Sequence, residues 1–292
     1  MYSGVNVAHW TKPAGFVQAS AVNSATRLRI GIHASIGGGF PSAVRRATES
    51  GSDCFQIFAR NPRGWEARPL DQREVHDFRD ARAKAGLGPL AIHSVYLINL
   101  AAQDPVLLAR SRAAFREEII RALELGADYL VVHPGSSAGA TAEAGIETAV
   151  ESIRVATRGL ALRDRLTILI ENTAGQGYSI GSTFEQVAEI LARLRDLPVS
   201  VCLDTAHTLA AGYDISTEAG LNATIRSIEA SFGLGQIKLV HCNDSKAPLG
   251  SRVDRHEHIG LGFIGAAGFR RLAHTLKFRN LPLILETPVD KQ

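Results

Sequence analysis

The chain has 292 residues, 45% of them apolar, with 32 Lys+Arg against 29 Asp+Glu. That composition supplies an ordinary globular core and excludes a disordered or fibrous chain, and no run of 18 apolar residues is present to span a bilayer. The net charge of +3 permits a nucleic-acid partner without announcing one.

Residues 1–27 mix Gly, Ser, Thr and Ala with Trp- and Pro-punctuated stretches, and they lack the basic start and continuous apolar segment of a secretory leader. They read as an N-terminal extension to one domain covering 28–292. From Arg27 onward, short runs rich in Val, Ile and Leu alternate with longer stretches of helical period, the pattern of repeated βα units. The runs end at His33, Phe58, His93, His133, Glu171, Asp204, His241 and Glu286. Helices are predicted between them, among them Asp71–Ala85, Asp104–Leu125, Ala142–Leu162 and Thr183–Arg195, several opening on a capping Asp or Thr. Eight such repeats without an internal linker predict an α/β chain folded as a single unit, a TIM (β/α)8 barrel, rather than an open doubly wound sheet.

Cys54, Cys202 and Cys242 are odd in number and show no C-x-x-C spacing. This argues against a disulfide framework and a Cys-based zinc finger, and fits a reducing, cytoplasmic setting. Seven of the eight runs end in His, Asp or Glu, although the chain holds only 10 His and 29 Asp+Glu. Buried strands are apolar and barrels carry their chemistry at the C-terminal strand tips, so polar tips predict a site there.

Imidazole nitrogen and carboxylate oxygen together suit Zn, Mn or Fe, and clustered carboxylates repel unless cations neutralise them. The tips supply His93, His133, Glu171, Asp204, His241 and Glu286, and nearby loops add His207, Asp254 and His256. Asp254 and His256, two apart in an extended segment, point the same way and could grip one ion with His207. Against this, Asp204 and Asp254 could cap helices, Glu171 and Glu286 could form buried ion pairs, and His33 alone reads as a hydrogen-bonded core residue. His9, His76, His258 and His274 sit in polar or helical contexts and read as ordinary. Gly260, Gly262 and Gly265 spell G-x-G-x-x-G, but no buried strand precedes them, which excludes a dinucleotide site. Gly37–Gly39 after the first strand could cradle a phosphate, and read more simply as a tight βα turn.

The stretches H-S-V-Y-L-I-N-L (93–100), H-P-G-S (133–136), I-E-N-T-A-G-Q-G (170–177), L-D-T-A-H (203–207), H-C-N-D-S-K (241–246), G-S-R-V-D-R-H (250–256) and L-I-L-E-T (283–287) carry a resemblance. Through them the chain resembles the endonuclease IV family of apurinic/apyrimidinic endonucleases. The resemblance implies a barrel with three zinc ions, Mn2+ being a possible substitute. It implies one ion on His93, His133 and Glu171, a second on Glu171, Asp204, His241 and Glu286, and a third on His207, Asp254 and His256. It further implies hydrolysis of the phosphodiester 5′ to an abasic site in double-stranded DNA, with catalytic roles for Glu171 and Glu286. Arg63 and Tyr96 would enter the duplex and Arg255 would contact phosphate, although each could instead be solvated, packed or ion-paired. A monomer is expected.

Two departures from the family stand out. Gln292 follows Glu286 by six residues, which implies a barrel lacking its last outer helix, its apolar face covered by the N-terminal residues or a partner. Pro62 in the N-P-R-G-W loop (61–65) stiffens the segment expected to enter DNA. Rival functions are a metal-dependent sugar isomerase or epimerase on the same barrel, and a protein that binds abasic sites without cutting them.

Overall fold

A computed structural model of the chain describes residues 28–275 and 278–287. Eight strands close into an all-parallel barrel: β1 (Arg29–His33), β2 (Cys54–Phe58), β3 (Leu90–His93), β4 (Tyr129–Val132), β5 (Thr167–Glu171), β6 (Val199–Asp204), β7 (Ile237–His241) and β10 (Pro282–Leu285). A short antiparallel pair, β8 (Asp244–Ser245) and β9 (His256–Glu257), stands beyond β7.

Helices α1 (Phe40–Glu49), α2 (Gln72–Ala85), α3 (Pro105–Leu125), α4 (Ala142–Thr157), α5 (Phe184–Arg193), α6 (Thr205–Ala210), α7 (Glu218–Ser231) and α8 (Gly265–His274) connect the strands. Asp71, Asp104, Thr141 and Thr183 cap α2 to α5, each side chain accepting from a first-turn N–H that would otherwise lack a partner. Helix α4 stops at Thr157, short of the expected Leu162, because Gly159 turns the chain at φ 75°. Leu162 is buried all the same, so its apolar character reports packing rather than helix.

Strand side chains alternate between faces. Outward residues such as Phe55, Ile92, Leu130, Ile168 and Ile170 pack under α1 to α5, and Val201, Leu203 and Val240 pack under the later helices. The inward residues Cys54, Ala91, Val131, Leu169, Cys202, Leu239 and Ile284 form one buried layer across seven strands. Gly31 in β1 completes the ring in register with Cys54 and Ile284, where an added Cβ would collide with the Cys54 carbonyl. The three cysteines are buried and free.

Among the described residues β10 is the last element, and Ile30, one strand over, is 42% exposed. The expected cover from residues 1–27 lies outside the described residues, as does His9. None of the described helices is long and apolar enough to cross a membrane.

Candidate metal centre

The side-chain period of two sets the site. Two positions beyond each member of the apolar ring, on the same inward face, stand His33, Gln56, His93, His133, Glu171, Asp204, His241 and Glu286. An oily plug is thus topped, strand by strand, by imidazoles, carboxylates and one amide at the C-terminal mouth.

These groups converge. His93 Nε2 and His133 Nε2 lie 3.1 and 3.4 Å from Glu171 Oε2, while His241 Nδ1 lies 2.9 Å from Glu171 Oε1 and 3.3 Å from Glu286 Oε2. His207 Nε2 and His256 Nε2 face the same Asp254 oxygen at 3.2 and 3.5 Å. Donor atoms of His93, His133 and Glu171 lie within 4.8 Å of one another, as do those of Glu171, Asp204, His241 and Glu286, and those of Asp204, His207 and His256. The third grouping differs from the expected trio in that Asp204 stands in place of Asp254, its Oδ2 3.7 Å from His256 Nε2.

Asp204 caps a helix and also faces the mouth. Its Oδ1 accepts from the His207 N–H and caps α6, while Oδ2 accepts from Asn243 and faces the mouth. Asp254 caps no described helix.

Backbone carbonyls orient three of the imidazoles. A carbonyl only accepts, so the Nδ1–H groups of His93, His207 and His256 donate to Ser94, Asn172 and Glu286 at 2.7, 3.0 and 3.4 Å. Each ring then turns Nε2 inward, the orientation that outer partners impose on metal-binding histidines. The buried Nε2 atoms of His207 and His256 make no hydrogen bond despite their nearness to Asp254. Buried nitrogens left without a hydrogen bond beside a carboxylate are the chemistry of a cation site, and the donor set of imidazole with carboxylate fits zinc or manganese.

The electrostatics are those of a strongly polarised cluster. Burial by itself would raise the Glu171 carboxyl, but His133 and His241, with hydrogen bonds from His241 and His93, hold it well below its ordinary range. Glu286 is likewise held low against its burial, chiefly by His241 and by the nearness of His33. Burial works against a charged His207, yet Asp204 and Asp254 lift it to about 10. Asp254 falls to about 2 despite burial, through the close approach and attraction of His207.

Tyr96 is 66% exposed at the rim, its ring edge-on to Phe58 at 5.3 Å and 6.4 Å from His93. Arg63 is exposed in the loop after β2, where Asn61 Oδ1 accepts from its backbone N–H. Arg255 is exposed between Asp254 and His256, its guanidinium donating to the Asp254 carbonyl.

Two residues at the mouth were not among the expected ligands. His33 Nδ1 lies 3.3 Å from Glu286, and fully buried Gln56 bonds His33, Glu286 and His241. The available signal was a lone amide in the otherwise apolar C-F-Q-I-F run, in phase with the inward face. The glycine-rich motif has its own explanation: the N–H groups of Gly260, Gly262, Ile264 and Gly265 all donate to the buried Asp244 carboxylate. The loop therefore wraps an internal anion. Gly38 and Gly39 have φ of 86° and 95° and form the turn into α1.

Comparisons with known proteins agree with this geometry. A family profile described as a xylose isomerase-like TIM barrel matches residues 44–292. A probable endonuclease 4 of Solibacter usitatus is 49% identical over 267 residues, covering 90% of this chain and 92% of that protein. The crystal structure of endonuclease IV from Thermus thermophilus superposes with a TM-score of 0.79 at 39% identity, covering 89% of this chain and 92% of that one. A 3-keto-D-glucoside 4-epimerase from E. coli, with a TM-score of 0.62 at 14% identity over 91% of this chain and 94% of its own, shares the fold alone. Mouth, barrel and relatives together place the chain in the endonuclease IV family of apurinic/apyrimidinic endonucleases, as an enzyme of the deoxyribonuclease IV type.

Proposed function

We propose that the chain is a zinc-dependent repair endonuclease that hydrolyses the phosphodiester 5′ to abasic sites in double-stranded DNA, leaving a 3′-hydroxyl and a 5′-deoxyribose phosphate. The observation that carries this reading is the meeting of four carboxylates with five imidazoles, from Asp204, Glu171, Glu286 and Asp254 to His93, His133, His207, His241 and His256, in one open mouth. His93, His133 and Glu171 would hold one ion, Glu171, Asp204, His241 and Glu286 a second, and His207, Asp254 and His256 a third. Zinc so bound supplies hydroxide at neutral pH and neutralises charge developing on the phosphate and the leaving oxygen.

The chain's own residues set where that happens. Glu171, its two oxygens directed at different histidines, is placed to be shared between neighbouring ions. Glu286 is held ionised and lies opposite His241, so it would orient the attacking water as well as ligate. Tyr96 and Arg63, exposed beside the mouth, would enter the gap left by the missing base, and Arg255 would pair with a flanking phosphate. The His207–Asp254–His256 corner favours phosphodiester hydrolysis over sugar isomerisation. An alkoxide leaving group can use a further cation, whereas proton shuttling between sugar carbons does not need one. We place the enzyme in the cytoplasm, working on DNA as a monomer.

The test is a duplex carrying one tetrahydrofuran abasic analogue, incubated with protein that runs as a single 31.3 kDa chain, before and after chelation. Incision 5′ to the analogue that chelation abolishes and zinc restores is the expected outcome. Binding without incision would contradict it, as would inactivity on DNA accompanied by metal-dependent ketose epimerisation.

A further inference from the structure

We infer that Gln56 is a positioning residue that fixes which nitrogen of His241 faces the second ion and holds Glu286 against that ion. The inference rests on the metal cluster proposed above and concerns a residue outside its ligand set.

Gln56 lies on the inward face of β2 with no solvent exposure. Its amide touches three side chains: Nε2 is 2.6 Å from Glu286 Oε1 and 2.9 Å from His33 Nδ1, and Oε1 is 2.8 Å from His241 Nε2. The orientation of the amide follows from the partners. Glu286 receives donors on both oxygens, from Gln56 on Oε1 and Asn243 on Oε2, so it acts as an acceptor and the amide NH2 must face it. The second N–H of that group then reaches His33 Nδ1, and the carbonyl oxygen is left facing His241 Nε2. An amide oxygen only accepts, so His241 must carry its proton on Nε2.

The consequence is the reverse of the pattern at the other histidines. His93, His207 and His256 are locked by backbone carbonyls at Nδ1 and turn Nε2 inward. His241 has no such carbonyl: Gln56 takes its Nε2–H, and Nδ1 is the atom turned toward Glu171 and Glu286 at 2.9 and 3.3 Å. One amide thereby orients two proposed ligands from two different strands, β7 and the end of β10. A leucine of similar size would fill the same space, leave the His241 Nε2–H without its acceptor and Glu286 Oε1 without its 2.6 Å donor, and loosen both side chains.

The experiment uses the full zinc-loaded chain, with bound zinc counted during competition by a graded chelator and the histidine rings followed by long-range 1H–15N correlation. In the wild type His241 is expected to show a ligating Nδ1 and a slowly exchanging Nε2 proton. Q56L is expected to lose one ion of the cluster about 10- to 100-fold more readily, with the other two unchanged, and to expose the His241 proton to exchange. Q56E keeps an acceptor for that proton but cannot donate to Glu286, so it is expected to retain the slow exchange that Q56L loses. Three ions held by Q56L at wild-type affinity, or equal protection of the His241 proton in wild type and Q56L, would overturn the inference while leaving the cluster intact. Loss of the protected proton in Q56E would do the same even if Q56L failed to fold. A wild-type chain that takes up no zinc would instead overturn the cluster itself, and this inference with it.

Discussion

His207 and Asp254 show how single residues couple the site to protons. In the metal-free chain, once burial is overcome, Asp204 and Asp254 lift the imidazole from 6.5 to about 10, while His207, with His256 and His133, lowers the Asp254 carboxyl from 3.8 to about 2. A raised histidine contributes stability that is complete below pH 6.5 and lost as pH climbs through about 10. A depressed carboxyl contributes stability present above 3.8 and lost as pH falls through about 2. Because the two shifts share the His207–Asp254 attraction, the metal-free chain should gain from that part once, most fully between those two ordinary values. Zinc must displace the His207 proton, so affinity at that corner should rise with pH toward 10 and binding should release protons. Urea midpoints in chelator, and binding heats compared across buffers of different ionisation enthalpy, check both signs. A flat urea profile from pH 6.5 to 10, or binding without proton release, would contradict the pairing.

At the scale of elements, the loop between β2 and α2 carries Arg63 and is fastened from beneath. Buried Arg60 donates through Nε to Glu118 Oε1 at 2.7 Å and through Nη1 to the Trp65 carbonyl at 3.0 Å. Arg121, one turn along α3, donates to the carbonyls of Ala59 and Arg68 at the two ends of the loop. Arg110 lies over the Trp65 ring at 4.4 Å. Together with Pro62, these bonds hold the segment in one shape before DNA arrives, which lowers the ordering cost of binding. E118Q keeps the volume but removes the charge opposite Arg60. It should cost about 1.5–3 kcal/mol of stability and weaken binding to abasic duplex, with zinc content unchanged. Denaturant titration, duplex affinity and metal counting separate these effects, and unaltered duplex affinity would show that the clamp serves stability alone.

None of that network was legible in the sequence. Arg60 and Glu118 are 58 residues apart, and Arg-Asn-Pro and Arg-Glu-Glu look like ordinary solvated segments until the fold buries them. The strands were legible because a closed parallel barrel demands short apolar runs, and their polar tips stood out against that background. Gln56 and His33 were harder because attention to each run's final residue misses an inward residue that sits two places before Phe58, and gives a lone histidine no context. The end of α4 was misplaced for a third reason: Leu160 and Leu162 continue an apolar pattern that packs against the core after Gly159 has broken the helix.

In the molecule as a whole, one inward-facing ring of small and aliphatic side chains supports a second ring of ligand-type side chains, and α6 after β6, with the segment leading into β9, closes the third corner with His207, Asp254 and His256. Folding and metal binding are thereby tied together, since residues far apart along the chain meet only when the barrel shuts. Zinc-edge anomalous scattering from crystals of the zinc-loaded chain tests this most directly. Three peaks are expected, one beside His93, His133 and Glu171, one among Glu171, Asp204, His241 and Glu286, and one at His207, Asp254 and His256. A mouth with no peak, or a single peak leaving the His207–Asp254–His256 corner empty at saturating zinc, would contradict it.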